Sequence, residues 1–159
     1  MNEMPRTLKV VTVWLLLGTV LFLAVQALLA QRGKARFSAD GTSITLQRAA
    51  DGHFHWPGRV EGRNIDFLVD TGATRTALPG RLAQQLGLPK GRALQSSTAG
   101  GTVTGYESRV DLVLEGGVAV QQLRVTVLPD LAAPLLGMDV LGRLRFTQEG
   151  GRLRIEAGG

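Results

Sequence analysis

The chain has 159 residues, room for one ordinary domain and an accessory segment, and it has no cysteine, which excludes disulfides, thiolate catalysis and cysteine-based metal sites. Its net charge of +5 is unevenly placed: Arg6, Lys9, Arg32, Lys34 and Arg36 precede the first predicted strand against only Glu3 and Asp40, whereas residues 52–159 carry twelve basic and ten acidic side chains. That later part has no basic stripe interleaved with aromatics, which argues against nucleic acid as a partner.

A short tail, residues 1–9, leads into residues 10–30, which carry no charge. As a helix rising ~1.5 Å per residue, this run would cross a hydrocarbon core of ~30 Å. It therefore predicts one transmembrane helix, with Trp14 as an interfacial anchor and the lipid bilayer as a partner. The rival reading is a cleaved signal peptide ending near Val25-Gln26-Ala27, but the run exceeds the ~7–15 apolar residues of a signal core. Basic residues flank both ends, so charge alone does not orient the helix. The very short tail favours a cytoplasmic N-terminus with the domain on the other side of the membrane. Residues 31–41 are polar and basic and read as a linker, leaving residues 42–159 as the folded domain.

Within the domain, residues 43–47 alternate and predict a strand, and residues 53–60 predict a second one. His53 and His55 would share a face of that second strand; a metal needs a third ligand, and none of suitable type is near in sequence. Glu61-Gly62-Arg63-Asn64 reads as a hairpin turn, and residues 65–69 as the return strand. Residues 76–78 form a short strand, after which Pro79 opens a helix with Leu78, Leu82 and Leu86 on one face, stopped by Gly87 and Pro89. Small β-formers flank Gly100-Gly101 in residues 95–105, predicting a hairpin turned at that pair. Residues 109–114 and 118–128 make another strand pair, and residues 146–148 and 152–155 a closing hairpin. About nine short strands and two short helices suit an all-β, closed domain rather than a parallel sheet.

Two stretches carry the chemistry. Phe67-Leu68-Val69 reads as a buried strand delivering Asp70 into a turn with Thr71, Gly72, Ala73 and Thr74. A carboxylate at a buried strand end is costly unless it is paired or hydrogen-bonded, and Gly72 lets the backbone approach it. An isolated Asp-x-Gly is an ordinary surface turn. About sixty-five residues on, however, Leu135, Leu136, Gly137 and Asp139 repeat the pattern of apolar strand, glycine and Asp, here opening a helix.

Together these stretches resemble the retroviral-type (retropepsin-like) aspartic proteases, and among them the membrane-anchored bacterial members, over residues 52–155. The resemblance implies a retropepsin-like closed β-barrel with short helices, preceded by the transmembrane helix. It implies Asp70 as the catalytic residue, with Thr71, Gly72, Ala73 and Thr74 supporting it. A mobile flap would be formed by Thr98, Ala99, Gly100, Gly101 and Thr102, with Gly100 where anchored members have Asn. Asp139 is a structural group at a helix start in the resemblance, not a second catalytic acid, and Met138 replaces the Arg common in retroviral members. Peptide hydrolysis by carboxylates needs two of them, one to activate water and one, protonated, to polarise the carbonyl. One Asp-Thr-Gly per chain therefore implies a homodimer acting on a peptide or protein substrate without metal or organic cofactor. The expected setting is the bacterial inner membrane, single-pass, with the domain periplasmic. The alternative is a membrane-tethered β domain that binds peptides or assembles without cutting.

Overall fold

The computed structural model describes residues 6–32, 36–38, 43–98 and 100–156, with side chains described for 10–26, 43–97 and 100–156. The chain separates into two units, Met1–Lys34 and Ala35–Gly159. The first is the helix α1 (Arg6–Arg32). Its described apolar side chains, from Val10 through Trp14, Leu17 and Leu21 to Val25, are exposed around the whole circumference, so the helix has no water-facing side of the usual amphipathic kind. Among the described residues no helix is long and apolar enough to cross a membrane. The tail at 1–5 and the side chains of residues 27–30 of the predicted span lie outside the described residues.

The second unit runs β1 (Arg36–Ser38), β2 (Ser43–Gln47), β3 (His55–Val60), β4 (Arg63–Val69), β5 (Ala77–Pro79), α2 (Gly80–Gln85), β6 (Ala93–Thr98), β7 (Gly101–Leu114), β8 (Ala119–Leu128), β9 (Leu135–Leu136), α3 (Met138–Leu141), β10 (Arg145–Glu149) and β11 (Arg152–Glu156). Six strands, in the order β8-β5-β9-β4-β3-β7, close on themselves because β7 also pairs with β8. β1 and β6 extend this barrel from β8 and β7, and β10-β11-β2 form a separate sheet. The domain is all-β and closed, as the run of short strands predicts.

Alternation along the strands builds the interior. In β7 the residues Val110, Leu112 and Leu114 point inward and Arg109, Asp111 and Val113 outward. Trp56, Val60, Phe67, Leu78 and Leu136 are fully buried in the same core, each apolar side chain contributing roughly 1.5–3 kcal/mol by leaving water. Trp56 keeps its indole N–H satisfied by donating to the Glu115 carbonyl at 3.0 Å.

Several boundaries differ from the sequence reading, and eleven strands are present among the described residues rather than about nine. The stretch predicted as linker contributes β1, whose residues pair antiparallel with Gln121, Val120 and Ala119. The strands expected at 95–105 and 109–114 are joined, since β7 runs unbroken from Gly101 to Leu114. His53 lies in the turn before β3, held by its amide donating to Asp51 Oδ1 at 2.9 Å, so it does not share a strand face with His55. In α2 the one fully buried side chain is Ala83, with Leu82 and Leu86 packed partly against the core.

Candidate active site

The site is built where β4 and β9 run parallel, Leu68 beside Leu135 and Val69 beside Leu136. Two apolar strand ends thus bring together turns that are far apart in sequence. The Asp70 amide donates to the Leu136 carbonyl at 3.0 Å, extending the ladder one residue past β4. The chain then turns, with the Ala73 amide donating to the Asp70 carbonyl at 3.3 Å. The Gly72 amide donates to Asp70 Oδ1 at 2.8 Å. A Cβ at Gly72 would lie a tight 3.2 Å from that same oxygen, so the glycine eases this close approach and is not there for a left-handed backbone.

Asp70 itself is half-buried rather than enclosed. Among the described residues its Oδ2 receives no hydrogen bond, and the exposed hydroxyls of Thr71 and Thr74 make none. The backbone of this turn is nonetheless fixed from the other side. The Met138 amide donates to the Ala73 carbonyl at 2.8 Å, and the Asp139 amide to the Thr74 carbonyl at 3.2 Å.

Asp139 is occupied. Its Oδ1 and Oδ2 accept from the Thr76 amide at 2.9 and 3.0 Å, and Oδ1 also accepts from Thr76 Oγ1 at 2.8 Å. Thr76 is buried, and its hydroxyl oxygen accepts from the Gly137 amide at 3.3 Å. At Gly137 a Cβ would overlap the backbone of Arg75 and Thr76, so only glycine permits this crossing of turns. Thr76 is a partner that the sequence reading missed, and nothing local to it signals the contact with a residue sixty-three positions away.

A cleft of about 780 Å³ opens at the Asp70 turn, walled also by β6 residues Leu94 and Ser96 and by Leu128, Leu131 and Leu135. The predicted flap is the β6–β7 hairpin, in which Thr98 pairs with Gly101. Gly101 is therefore the first residue of β7 rather than the second of the turn, and it holds φ at +111°. Thr102 follows it in the strand, opposite Ser97. Ala99 and the side chain of Thr98 lie outside the described residues.

Charged residues that the sequence reading did not single out line the same cleft. Arg75 donates to Glu107 Oε1 at 2.8 Å across the opening. That guanidinium holds the Glu107 carboxyl below the usual carboxylate range, with smaller pulls from Arg92 and Arg124. On the far side of β4, the His55 ring is held between Asp51 Oδ2 at 2.8 Å and Asp66 Oδ2 at 2.9 Å. Its two nitrogens face different carboxylates, which suits an imidazolium donating both ways. The bond to Asp51 chiefly raises the His55 pKa above its ordinary 6.5. Among the described residues no group of three or more His, Asp or Glu could hold a metal ion.

Residues 56–143 match the family model for the gag-polyprotein aspartyl protease. The fold is similar to a retropepsin-like aspartic protease from Rickettsia conorii, with a TM-score of 0.58 and 27% identity over 78% of this chain and 94% of that one. A less similar structure is the EIAV protease bound to the inhibitor HBY-793, with a TM-score of 0.47 and 22% identity over 59% of this chain and 89% of that one. Uncharacterised proteins from a Sinorhizobium species and from Rickettsia prowazekii (strain Madrid E) are 30% and 31% identical over 66% and 69% of this chain. The chain spans about half the length of these curated relatives, 47% and 49%. The family match covers the Asp70 turn, the hairpin and the Asp139 turn in one stretch, and with the closed barrel built around them the chain belongs to the retropepsin-like aspartic protease family.

Proposed function

We propose that the protein is an aspartic endopeptidase whose active unit is a homodimer, each copy contributing Asp70. The observation that carries this reading is the Asp70 carboxylate, with Oδ1 fixed by the Gly72 amide and Oδ2 without a donor among the described residues, facing a cleft walled by the β6–β7 hairpin. One such carboxylate can activate water, but a second, protonated group is needed to polarise the scissile carbonyl. The chain has one Asp-Thr-Gly, and Asp139 is consumed by Thr76. The second acid is therefore the Asp70 of another copy, the two sharing a proton. The exposed Thr71 is free to bond across that two-fold axis, and the hairpin closes over an extended peptide or protein substrate. Ala73, unlike a Ser or Thr, adds no hydroxyl donor to the pair.

The uncharged run at residues 10–30 supports a single-pass anchor in a bacterial inner membrane, with the domain on the periplasmic side. Confinement to one membrane raises the effective concentration of the copies and favours pairing. The test is cleavage of a denatured protein mixture by the full chain in detergent. Activity should rise more than linearly with protein concentration and vanish in Asp70→Asn. Equal cleavage by the variant would overturn the assignment, and strictly linear activity from a monomer would overturn the shared site.

A further inference from the structure

The Asp70 cleft does not end at the carboxylate. Arg92 and Glu107 belong to its wall and also to the wall of a neighbouring cleft of about 640 Å³, which adds Arg109 and Arg124. The two openings therefore meet along Arg92 and Glu107. Backbone bonds hold this junction firmly. The Glu107 amide donates to the Arg92 carbonyl, and the Gly91 amide donates to the Glu107 carbonyl, both at 2.9 Å.

The charges there do not balance. Glu107 is taken by Arg75 at 2.8 Å. Glu61, the other carboxylate of the second cleft, accepts from the Asp111 amide. Among the described residues Arg92, Arg109 and Arg124 have no carboxylate within ion-pair distance. Arg109 and Arg124 moreover stand directly opposite each other in the β7–β8 ladder, where like charges destabilise the pairing. A chain that keeps two arginines in register beside a third gains from an anion brought in from outside. β6, which follows Arg92 directly, is an edge strand whose only partner among the described residues is β7. An extended peptide could add to it as a further strand and run from one cleft into the other.

We propose that this junction selects peptide substrates carrying an acidic side chain beside the scissile bond, received by Arg92 and Arg124, with Arg109 opposite Arg124 in the ladder. The inference rests on the protease reading for its substrate class but not for its measurement. Peptides from a random library, with one position fixed as Glu, Gln or Lys, are titrated against the full-length Asp70→Asn chain in detergent, and binding is read by fluorescence anisotropy. At low salt the best Glu set should bind about 1.5-fold to fivefold tighter than its Gln counterpart, given typical exposed charge pairs, and the Lys set weaker than both. The Glu advantage should shrink as salt is raised and should collapse toward unity in Arg92→Gln/Arg124→Gln. It should persist in Arg154→Gln, which alters an exposed arginine on β11, a strand of the separate three-stranded sheet. Equal binding of Glu and Gln sets, or an advantage that survives loss of both arginines, would overturn the proposal. Cleavage by the wild-type chain is measured separately. Glu-selective binding without any cleavage would overturn the protease reading alone, and cleavage without binding selectivity would overturn this one alone.

Discussion

Asp70 and Asp139 follow two strands that lie side by side in the barrel, and each comes with a glycine close by. What separates them is how many donors each carboxylate has used up. Asp139 accepts three hydrogen bonds, all from Thr76, and so is spent on holding two turns together. Asp70 accepts one, from the Gly72 amide, and keeps an oxygen turned to the cleft. The same functional group is thus fully engaged at one turn and left available at the next, and the difference is made by its neighbours rather than by its own chemistry.

Substitution at each position should reverse the two effects. Asp70→Asn keeps shape and the Gly72 contact but removes the ionisable group. Activity should fall by roughly a thousandfold or more, given the size of acid–base contributions, while the melting temperature stays near that of the wild type. A large loss of stability on this change would make Asp70 a second clasp. Asp139→Ala should do the opposite. It strands the buried Thr76 amide, which should cost about 2–4 kcal/mol in chemical denaturation, and any activity lost should follow the folded fraction. Unchanged stability would show that Thr76 finds another acceptor.

Gly101 tests whether the β6–β7 hairpin is scaffold or moving part. A side chain there meets open space, but the backbone is held at φ +111°, where L-residues are strained. Gly101→Val should cost about 1–3 kcal/mol locally and, on the proposed closure of the hairpin over substrate, reduce activity well beyond what the lost folded fraction explains. Parallel losses of melting temperature and activity would identify an ordinary structural turn.

The smallest effect belongs to His55, whose ring bonds to Asp51 and Asp66 and to neither Asp70 nor Asp139. Its pKa is raised in the folded chain, so its contribution is fully present below pH 6.5 and is lost as pH rises through the higher folded value. Asp51 has the opposite sign. Its pKa is lowered, first by the His53 amide, so its contribution holds above 3.8 and is lost as pH falls through the lower folded value. The melting temperature should therefore decline slightly on the alkaline side of 6.5, and His55→Gln should flatten that decline. An identical profile in the variant would remove His55 from the account.

The sequence revealed what is local. The Asp70 turn, the glycine of the second motif and most hairpins are written in neighbouring residues, because strand alternation and turn chemistry act over a few positions. β1 was missed because three residues paired through their backbone leave no side-chain pattern. The sequence suggests two strands where β7 is one because Gly105 interrupts the alternation; in the fold that glycine is where the Val127 carbonyl passes too close for any side chain. Thr76 and the Arg75–Glu107 pair were invisible because their partners lie sixty-three and thirty-two residues away, and only closure of the barrel brings them together.

That separation also bears on when the site comes into being. Loop closure over such a span must be met before any contact within it repays the lost chain entropy, and topologies of this kind fold slowly. The Asp-Thr-Gly turn is not held by local bonds alone, since the acceptor for the Asp70 amide is the Leu136 carbonyl. An emerging polypeptide therefore displays the Asp-Thr-Gly sequence well before that turn has its folded geometry, which is complete only when β9 docks. Protection of the Asp70 amide from hydrogen exchange during refolding should mark that moment, appearing after the protection of the β3–β4 hairpin that precedes it in sequence.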